Sequence, residues 1–293
     1  MAGDIATTGL RLPLFAPARE NAMFSSTVAT PQGRLAVYET GNGPTLLFLH
    51  ADSGRASQWE HIVARLARDH SVVSFDFRGS GDSSPARNED YSYAGRAEDI
   101  AAVADGLNLD HFVMVAHSGS GPAALMYAAS HPDTVDGVLL VDPPNDPRQM
   151  PADVKEKFLS DLAGPGSLDA QKAFYESIAG DDPAVRARIL KDTESTDPKA
   201  RYGFGRAMAD WNPEPALAAW HGPLFILASK GNDTPAALYR LDPRIEHLVV
   251  EKAGHWIQLD QPDRVEKAIR DFAERLEPET GPRLHRKTEA QNA

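Results

Sequence analysis

The sequence predicts an α/β fold: a doubly wound, mostly parallel sheet with an inserted group of helices. Three observations support this prediction. From Met23 onward, apolar runs of strand length alternate with amphipathic runs of helix length. The apolar runs are nearly continuous, which is typical of parallel strands covered on both faces. One long stretch, 143–220, offers helical segments separated by Pro and Gly, with no convincing strand.

The first predicted elements form an antiparallel hairpin at one edge of the sheet. MFSSTVAT (23–30) and GRLAVYET (33–40) are strand-like and are joined by the turn-prone PQG. Six buried strands rich in Val, Leu, Ile and Phe follow, at 45–50, 71–77, 112–117, 135–142, 223–229 and 247–253. Helices are predicted at 57–68, 93–107, 120–130 and 262–276.

These elements divide the chain into a core and an insertion. Residues 23–142 and 221–277 form the predicted α/β core, and 143–220 form a helical cap, or lid, between two strands of its sheet. Residues 1–22 are expected to be an N-terminal extension. The polar stretch 278–293 is expected to be a disordered tail, because it lacks the apolar residues that a packed segment needs.

Composition excludes several classes of function. The chain has 293 residues and a formal net charge of −12, which argues against a nucleic-acid partner. There is no cysteine, so disulfides, thiolate metal sites and Cys nucleophiles are excluded. No apolar run approaches the ~18 residues of a membrane span. We therefore expect a soluble, cytoplasmic protein that does not bind membranes and acts on a small molecule. The sequence carries no signal for oligomeric state.

The stretch VAHSGSG (115–121) raises the question of a nucleophile, because it holds two serines where a strand turns into a helix. At such a turn the residues two before and two after the apex are pressed together, so both must be small. With Ser118 at the apex they are Ala116 and Ser120. With Ser120 at the apex one of them would be the bulky Pro122. Ser118 is therefore the predicted nucleophile, with the Gly119 N–H aimed at a developing oxyanion.

A serine nucleophile needs a base, and the base needs an acid that holds its tautomer. His255 follows the last predicted strand and so emerges at the same sheet edge as Ser118, which makes it the predicted base. Asp233, in the loop after the preceding strand, is the favoured acid. Asp142 and Asp146 are alternatives on the same edge, and Asp233 could instead form an Asx turn or helix cap.

The second oxyanion donor is expected in the loop HADSGRASQW (50–59), at the backbone N–H of Asp52, with Ala51 as an alternative. The Asp52 carboxylate has two interpretations. It could lie at the pocket mouth, or it could turn to solvent or cap the following helix.

Together these segments resemble the α/β-hydrolase fold family. LLFLHADSG (46–54) is similar to that family's oxyanion loop, FDFRGSGDS (75–83) to its Asp-x-Arg-Gly turn, and AGHWIQLDQPDRV (253–265) to its histidine segment. The resemblance covers roughly 27–276 apart from the lid. The chain order Ser118, Asp233, His255 is the family's order. The resemblance implies a triad hydrolase with a helical cap and an acyl-enzyme intermediate.

Three departures from the family pattern stand out. Ala51 replaces a usual glycine, Ala116 and Ser120 replace both elbow glycines, and the interval from Asp233 to His255 is short, which keeps Asp142 as an alternative acid. The fold also hosts enzymes with an Asp nucleophile, such as dehalogenases and epoxide hydrolases, and Ser118 at the elbow argues against that chemistry.

The substrate predicted from these features is a small to medium, largely apolar carboxylic ester. Lid aromatics, notably Phe174, Tyr175 and Trp211, are expected to line its pocket, although such residues can equally form the lid's own core. Alternatives are a lactone, amide, peracid or carbon–carbon bond cleaved by the same triad, or a ligand-binding or signalling member with little turnover. The sequence has no HExxH or GxGxxG pattern, so neither a metal nor a dinucleotide cofactor is expected.

Overall fold

The computed structural model describes residues 23–276 and contains one eight-stranded sheet. The strands are β1 (Phe24–Thr30), β2 (Gly33–Gly41), β3 (Thr45–Leu49), β4 (Ser71–Phe75), β5 (Phe112–His117), β6 (Val135–Val141), β7 (Leu224–Ser229) and β8 (Glu246–Val250). Their order in the sheet is β1-β2-β4-β3-β5-β6-β7-β8. The first two strands pair antiparallel, β2 runs antiparallel to β4, and every other pair is parallel. The predicted fold class is therefore confirmed.

Helices cover both faces of this sheet. Those of the core are α1 (Glu60–Leu66), α2 (Tyr93–Leu107), α3 (Ser120–Ser130), α9 (Leu238–Leu241), α10 (Ile257–Asp260) and α11 (Pro262–Leu276). The bounds of α2, α3 and α11 are those predicted. The predicted helix 57–68 is instead a 3-10 turn (Ala56–Trp59) followed by α1, and the predicted strand 247–253 ends at Val250, before Lys252 adopts a left-handed φ of 58°.

The alternation of side chains along each strand explains why the apolar runs are continuous. On β3, Leu47 and Leu49 point into a core shared with α2 and α3. Leu46 and Phe48 point into a second core, which α1 and α11 cover. All four are at most 1% exposed. Both faces of the strand are thus buried, and burying an aliphatic or aromatic side chain contributes about 1.5–3 kcal/mol each.

Five helices lie between β6 and β7, and we call them the inserted helices. They are α4 (Ala152–Ala163), α5 (Ser167–Ile178), α6 (Pro183–Ser195), α7 (Pro198–Asp210) and α8 (Glu214–Ala219). Helix α4 packs against α5 and α7, and α5 packs against α6. Asp182 and Asp197 cap α6 and α7, each with a proline at the first helical position, which is the usual signature of a helix start.

No helix among residues 23–276 has the length and apolar character required to cross a bilayer. The predicted N-terminal extension 1–22 and tail 278–293 lie outside the described residues.

Candidate active site

The parallel strands bring four polar side chains to one edge of the sheet. Ser118 follows β5, Asp142 follows β6, Ser229 ends β7, and His255 lies in the loop after β8. Because β5, β6, β7 and β8 are consecutive neighbours in the sheet, their carboxyl ends meet there. This edge is where ligands bind in open α/β sheets.

Ser118 occupies a strained turn between β5 and α3. Its φ is 54°, in the left-handed region that residues with a side chain rarely adopt, and its N–H donates to the Val141 carbonyl at 2.9 Å. The flanking Ala116 and Ser120 are fully buried. The Ser120 hydroxyl donates to the His117 carbonyl at 2.8 Å, so it is committed to the backbone beneath the turn.

His255 bridges Ser118 and Asp142. Its Nε2 lies 2.7 Å from Ser118 Oγ, and its Nδ1 lies 2.6 Å from Asp142 Oδ2. A carboxylate only accepts hydrogen bonds, so the ring proton sits on Nδ1 and leaves Nε2 free to accept from the serine hydroxyl. This is the geometry that a serine nucleophile, its base and an orienting acid require.

Asp142 is held rigidly against His255. Its side chain is 1% exposed. Its Oδ1 accepts from the Ser229 N–H at 2.5 Å, and its Oδ2 also accepts from the Ser229 hydroxyl at 3.0 Å. Three hydrogen bonds, one of them with the His255 ring, fix the orientation of this buried carboxylate.

The prediction that Asp233 contacts His255 is wrong. Asp233 follows a 3-10 turn (Lys230–Asn232) beyond the end of β7, and this turn directs its carboxylate to the Tyr239 hydroxyl at 2.9 Å and to Arg240 at 3.0 Å. These contacts lower the pKa of Asp233, with the Tyr239 hydrogen bond as the largest cause. The other alternative, Asp146, forms an ion pair with Arg148 at 2.8 Å. Of the three candidate acids, Asp142 meets His255.

The backbone of His255 is also fixed from two sides. Its carbonyl accepts from the Nε2–H of His117 at 2.9 Å, and His117 Nδ1 accepts from the Gln258 amide at 2.9 Å. The His255 N–H donates to the carbonyl of Ile178, on inserted helix α5, at 2.8 Å. At the neighbouring Gly254, a Cβ would lie 2.0 Å from the Gly180 nitrogen, so the inserted helices approach this loop as closely as a glycine allows.

We expect His117 to make the protein less stable as the pH falls below 6.5. Burial, together with the neighbouring His255, holds the pKa of His117 well below its ordinary value of 6.5. The unfolded chain takes up this proton below about pH 6.5 and the folded chain does not, so the contribution is complete above that pH and lost below it. The loss is up to about 1.4 kcal/mol per pH unit.

Urea unfolding of the wild type and of His117→Gln between pH 7.5 and 5.5 measures this effect. The glutamine retains a hydrogen-bond donor but does not titrate, so its free energy of unfolding should fall less steeply. Burial also lowers the pKa of His50, so part of the pH dependence of the free energy of unfolding remains in both proteins. If the free energy of unfolding fell equally steeply with pH in the two proteins, the effect could not be assigned to His117.

The loop after β3 faces the turn at Ser118. The Phe77 N–H donates to His50 Nε2 at 2.9 Å, so the His50 proton sits on Nδ1 and is donated to the Ala51 carbonyl at 2.7 Å. Ser53, with φ 55°, then turns the chain. Within residues 23–276, the N–H groups of Asp52 and Gly119 donate to no protein acceptor, so both are free to bind a ligand oxygen.

The Asp52 side chain neither turns to solvent nor caps a helix. It is 12% exposed, and its Oδ1 accepts from Arg96 Nη1 at 2.5 Å. Arg96 lies in the first turn of α2, is 1% exposed, and has the rings of Tyr93 and Phe204 at 4.7 and 4.8 Å from its guanidinium carbon. The carboxylate is thus held in the wall beside Ser118.

Of the three aromatic residues that the sequence predicts to line the substrate pocket, Tyr175 makes a direct contact with this loop. Its hydroxyl donates to the Asp52 carbonyl at 2.9 Å, and its ring packs edge-on against Trp256 at 5.2 Å. Phe174 is 37% exposed and packs against Phe158 and Tyr175. Trp211 is buried against Tyr93. As substrate-binding residues, Phe174, Tyr175 and Trp211 all stay predictions.

A cavity of about 460 Å³ lies elsewhere, lined by residues that include Leu217, Trp220, Pro223 and Glu246. Pro223 and Glu246 stand at the amino ends of β7 and β8, so this cavity opens at the edge opposite the candidate active site. Within the described part of the chain, no cluster of His, Asp and Glu has the arrangement of a metal site.

Sequence reasoning missed three residues that shape the site: Ser229, Gln258 and Arg96. Ser229 had a signal, since it ends the buried strand β7, and Asp142 directly follows the neighbouring strand β6. Gln258 and Arg96 had none, because a polar residue in a helical segment is by default read as solvent-exposed.

Comparison with known proteins places the chain among enzymes of one fold. The profile of the family described as "Alpha/beta hydrolase family" matches residues 46–268. The 2-(acetamidomethylene)succinate hydrolase of Mesorhizobium japonicum is 28% identical, covering 81% of this chain and 91% of that protein. The N-formylmaleamate deformylase of Pseudomonas putida is 27% identical, covering 79% and 89%. A thermophilic esterase from Thermogutta terrifontis superimposes with a TM-score of 0.75 at 22% identity, covering 87% of this chain and all of that one.

Proposed function

Because this chain belongs to the alpha/beta hydrolase family, we propose that it is a serine hydrolase that cleaves a small to medium, largely apolar carboxylic ester through an acyl-enzyme. The observation that carries the proposal is the continuous hydrogen-bonded series from Ser118 Oγ through His255 to Asp142, at 2.7 and 2.6 Å. A hydroxyl beside a neutral, oriented imidazole is the standard arrangement for acyl transfer.

In the proposed first step, Ser118 Oγ attacks the ester carbonyl as His255 Nε2 takes its proton. Asp142 stabilises the imidazolium that forms. The N–H groups of Gly119 and Asp52 donate to the tetrahedral oxyanion. His255 then gives the proton to the leaving alcohol, which breaks the carbon–oxygen bond and leaves the acyl group on Ser118.

The second step reverses these roles with water. His255 removes a proton from a water molecule as the water attacks the acyl carbonyl, and it returns that proton to Ser118 as the acid leaves. We propose that the inserted helices act as a cap in both steps. Two contacts support this role: Ile178 holds the His255 N–H, and Tyr175 holds the Asp52 carbonyl.

The experiment is an activity and labelling assay on the purified protein. We expect turnover of p-nitrophenyl butyrate, together with stoichiometric labelling by a fluorophosphonate. Labelling with negligible turnover of esters, lactones and amides would favour the ligand-binding or signalling alternative. Turnover of lactones or amides, with no turnover of esters, would change the proposed substrate class but leave the proposed site unchanged.

A further inference from the structure

The Asp52 carboxylate is placed against the residue that follows the proposed nucleophile. A Cβ built on Gly119 would lie 2.2 Å from both carboxylate oxygens of Asp52. The carboxylate therefore rests on the Cα face of Gly119, whose N–H is one of the two proposed oxyanion donors. Only glycine leaves room for it at that position.

One oxygen of this carboxylate accepts a hydrogen bond from the protein and the other does not. Arg96 Nη1 donates to Oδ1, and this is the one hydrogen bond that the Arg96 side chain makes within residues 23–276. Over the same residues, Oδ2 accepts no hydrogen bond from the protein. The Asp52 side chain is 12% exposed, so Oδ2 is open to a donor group of a bound ligand, and a hydrogen bond to a charged acceptor is stronger than one between neutral groups.

The charge of the pair restricts what that ligand group can be. Asp52 and Arg96 together are neutral, so a neutral donor satisfies Oδ2 without leaving a net charge in the site. An anionic group would meet a like charge at Oδ2, and Arg96, which is 1% exposed behind the carboxylate, offers it little contact surface.

We propose that Asp52 Oδ2 accepts a hydrogen bond from a hydroxyl or amide N–H of the substrate. This donor is attached to the first or second carbon of the acyl chain after the scissile carbonyl carbon. The inference rests on the proposed ester hydrolysis and adds one polar group to an otherwise apolar substrate. The two oxyanion donors fix the carbonyl oxygen beside Gly119, and the carboxylate on that residue's Cα face reaches the substituents nearest the carbonyl. Asp52 thereby determines specificity through its side chain while its N–H serves the oxyanion.

Three matched pairs of p-nitrophenyl esters test the proposal. They are 2-hydroxypropanoate against 2-methylpropanoate, 3-hydroxybutanoate against 3-methylbutanoate, and N-acetylglycinate against 4-oxopentanoate. Each pair differs by one OH for CH₃ or one NH for CH₂, so the pairs also separate the two donor types. The ratio of kcat/KM within each pair is divided by the ratio of the two esters' alkaline hydrolysis rates, which removes intrinsic reactivity.

The wild type is expected to prefer the donor-bearing ester by at least ten-fold, and up to about a hundred-fold, in at least one pair. Asp52→Asn retains an oxygen for Arg96 and replaces Oδ2 by an NH₂ group, so its corrected ratio should fall to within about three-fold of unity. The control Asp242→Asn changes an aspartate that is also paired with an arginine, Arg244 at 2.6 Å, and should keep the wild-type ratio.

Two outcomes would overturn the inference while leaving the proposed function intact. One is a corrected wild-type ratio near unity in all three pairs, and the other is a ratio that Asp52→Asn does not change. Hydrolysis of none of the six esters would instead overturn the proposed function. If circular dichroism shows that Asp52→Asn does not fold, the double variant Asp52→Leu with Arg96→Leu takes its place, and its corrected ratio should likewise fall to near unity. A buried ion pair is often replaced by apolar residues without loss of stability, so this variant is expected to fold.

Discussion

Replacing Ser118 by alanine is expected to lower kcat for p-nitrophenyl butyrate by about 10⁴-fold or more. Removing the nucleophile of a triad costs nearly as much as removing the whole triad, because the three residues act as one unit. Alanine deletes one hydroxyl from a position whose backbone already has φ 54°, so the turn itself stays as it is. Steady-state kinetics of the variant measure the effect.

Two controls accompany this variant. Thermal unfolding should show a folded protein with a melting temperature close to that of the wild type. Ser120→Ala should keep activity within about ten-fold, because the Ser120 hydroxyl donates to the backbone at 2.8 Å instead of facing His255. If Ser118→Ala kept wild-type turnover, or if only Ser120→Ala lost it, the assignment of the nucleophile would fail.

Asp142→Asn should lower kcat by about 10⁴-fold, whereas Asp233→Asn should change it by no more than about two-fold. Asparagine can present its amide to His255 Nδ1, which places the ring proton on Nε2 and removes the base that Ser118 needs. Asp233 contributes to the cluster with Tyr239 and Arg240, outside the triad. The two variants are matched, since each replaces one carboxylate by its amide, and the measurement is kcat on the same ester.

The reverse result would restore the acid that the family resemblance implies. A loss of activity in Asp233→Asn with none in Asp142→Asn would mean that His255 turns to Asp233 during the reaction. Equal losses in both would mean that the effect is on folding, and near-ultraviolet circular dichroism of the two variants separates that outcome.

The sequence predicted the positions of Ser118 and His255 because both follow from where strands end. A buried apolar run that stops at a small, polar turn fixes the sheet edge, and parallel strands place all such ends together. The bounds of α2, α3 and α11 followed from equally strong local signals. The sequence also predicts helices in 143–220, because Pro and Gly divide this stretch into segments of helix length.

The acid could not be assigned in the same way, because its choice depends on the path of a short loop. Asp142 and Asp233 both follow buried strands on the correct edge. The difference arises at the 3-10 turn Lys230–Asn232, which carries Asp233 away, while Asp142 sits directly at the end of β6 with a left-handed φ of 46°. The short interval between Asp233 and His255 is the one sequence feature that favours Asp142 over Asp233 as the acid.

The Asp52–Arg96 pair was out of reach for a different reason. These two residues are 44 apart in sequence, and each has an ordinary solvent-exposed interpretation by itself. The contact exists because α2 begins beside the loop after β3. This proximity arises only in the folded sheet, and neither segment's sequence indicates it. The orientation of Phe174 is similarly set by packing against Phe158, and that of Tyr175 by its contacts with the Asp52 carbonyl and Trp256.

The most direct test of the triad is the site and rate of fluorophosphonate labelling, followed by peptide mass spectrometry. The wild type should carry a single adduct on Ser118, formed at a rate that Asp233→Asn leaves unchanged and that Asp142→Asn lowers by about a hundred-fold or more. An adduct on another serine, or labelling that slows in Asp233→Asn and not in Asp142→Asn, would contradict the proposed series of Ser118, His255 and Asp142.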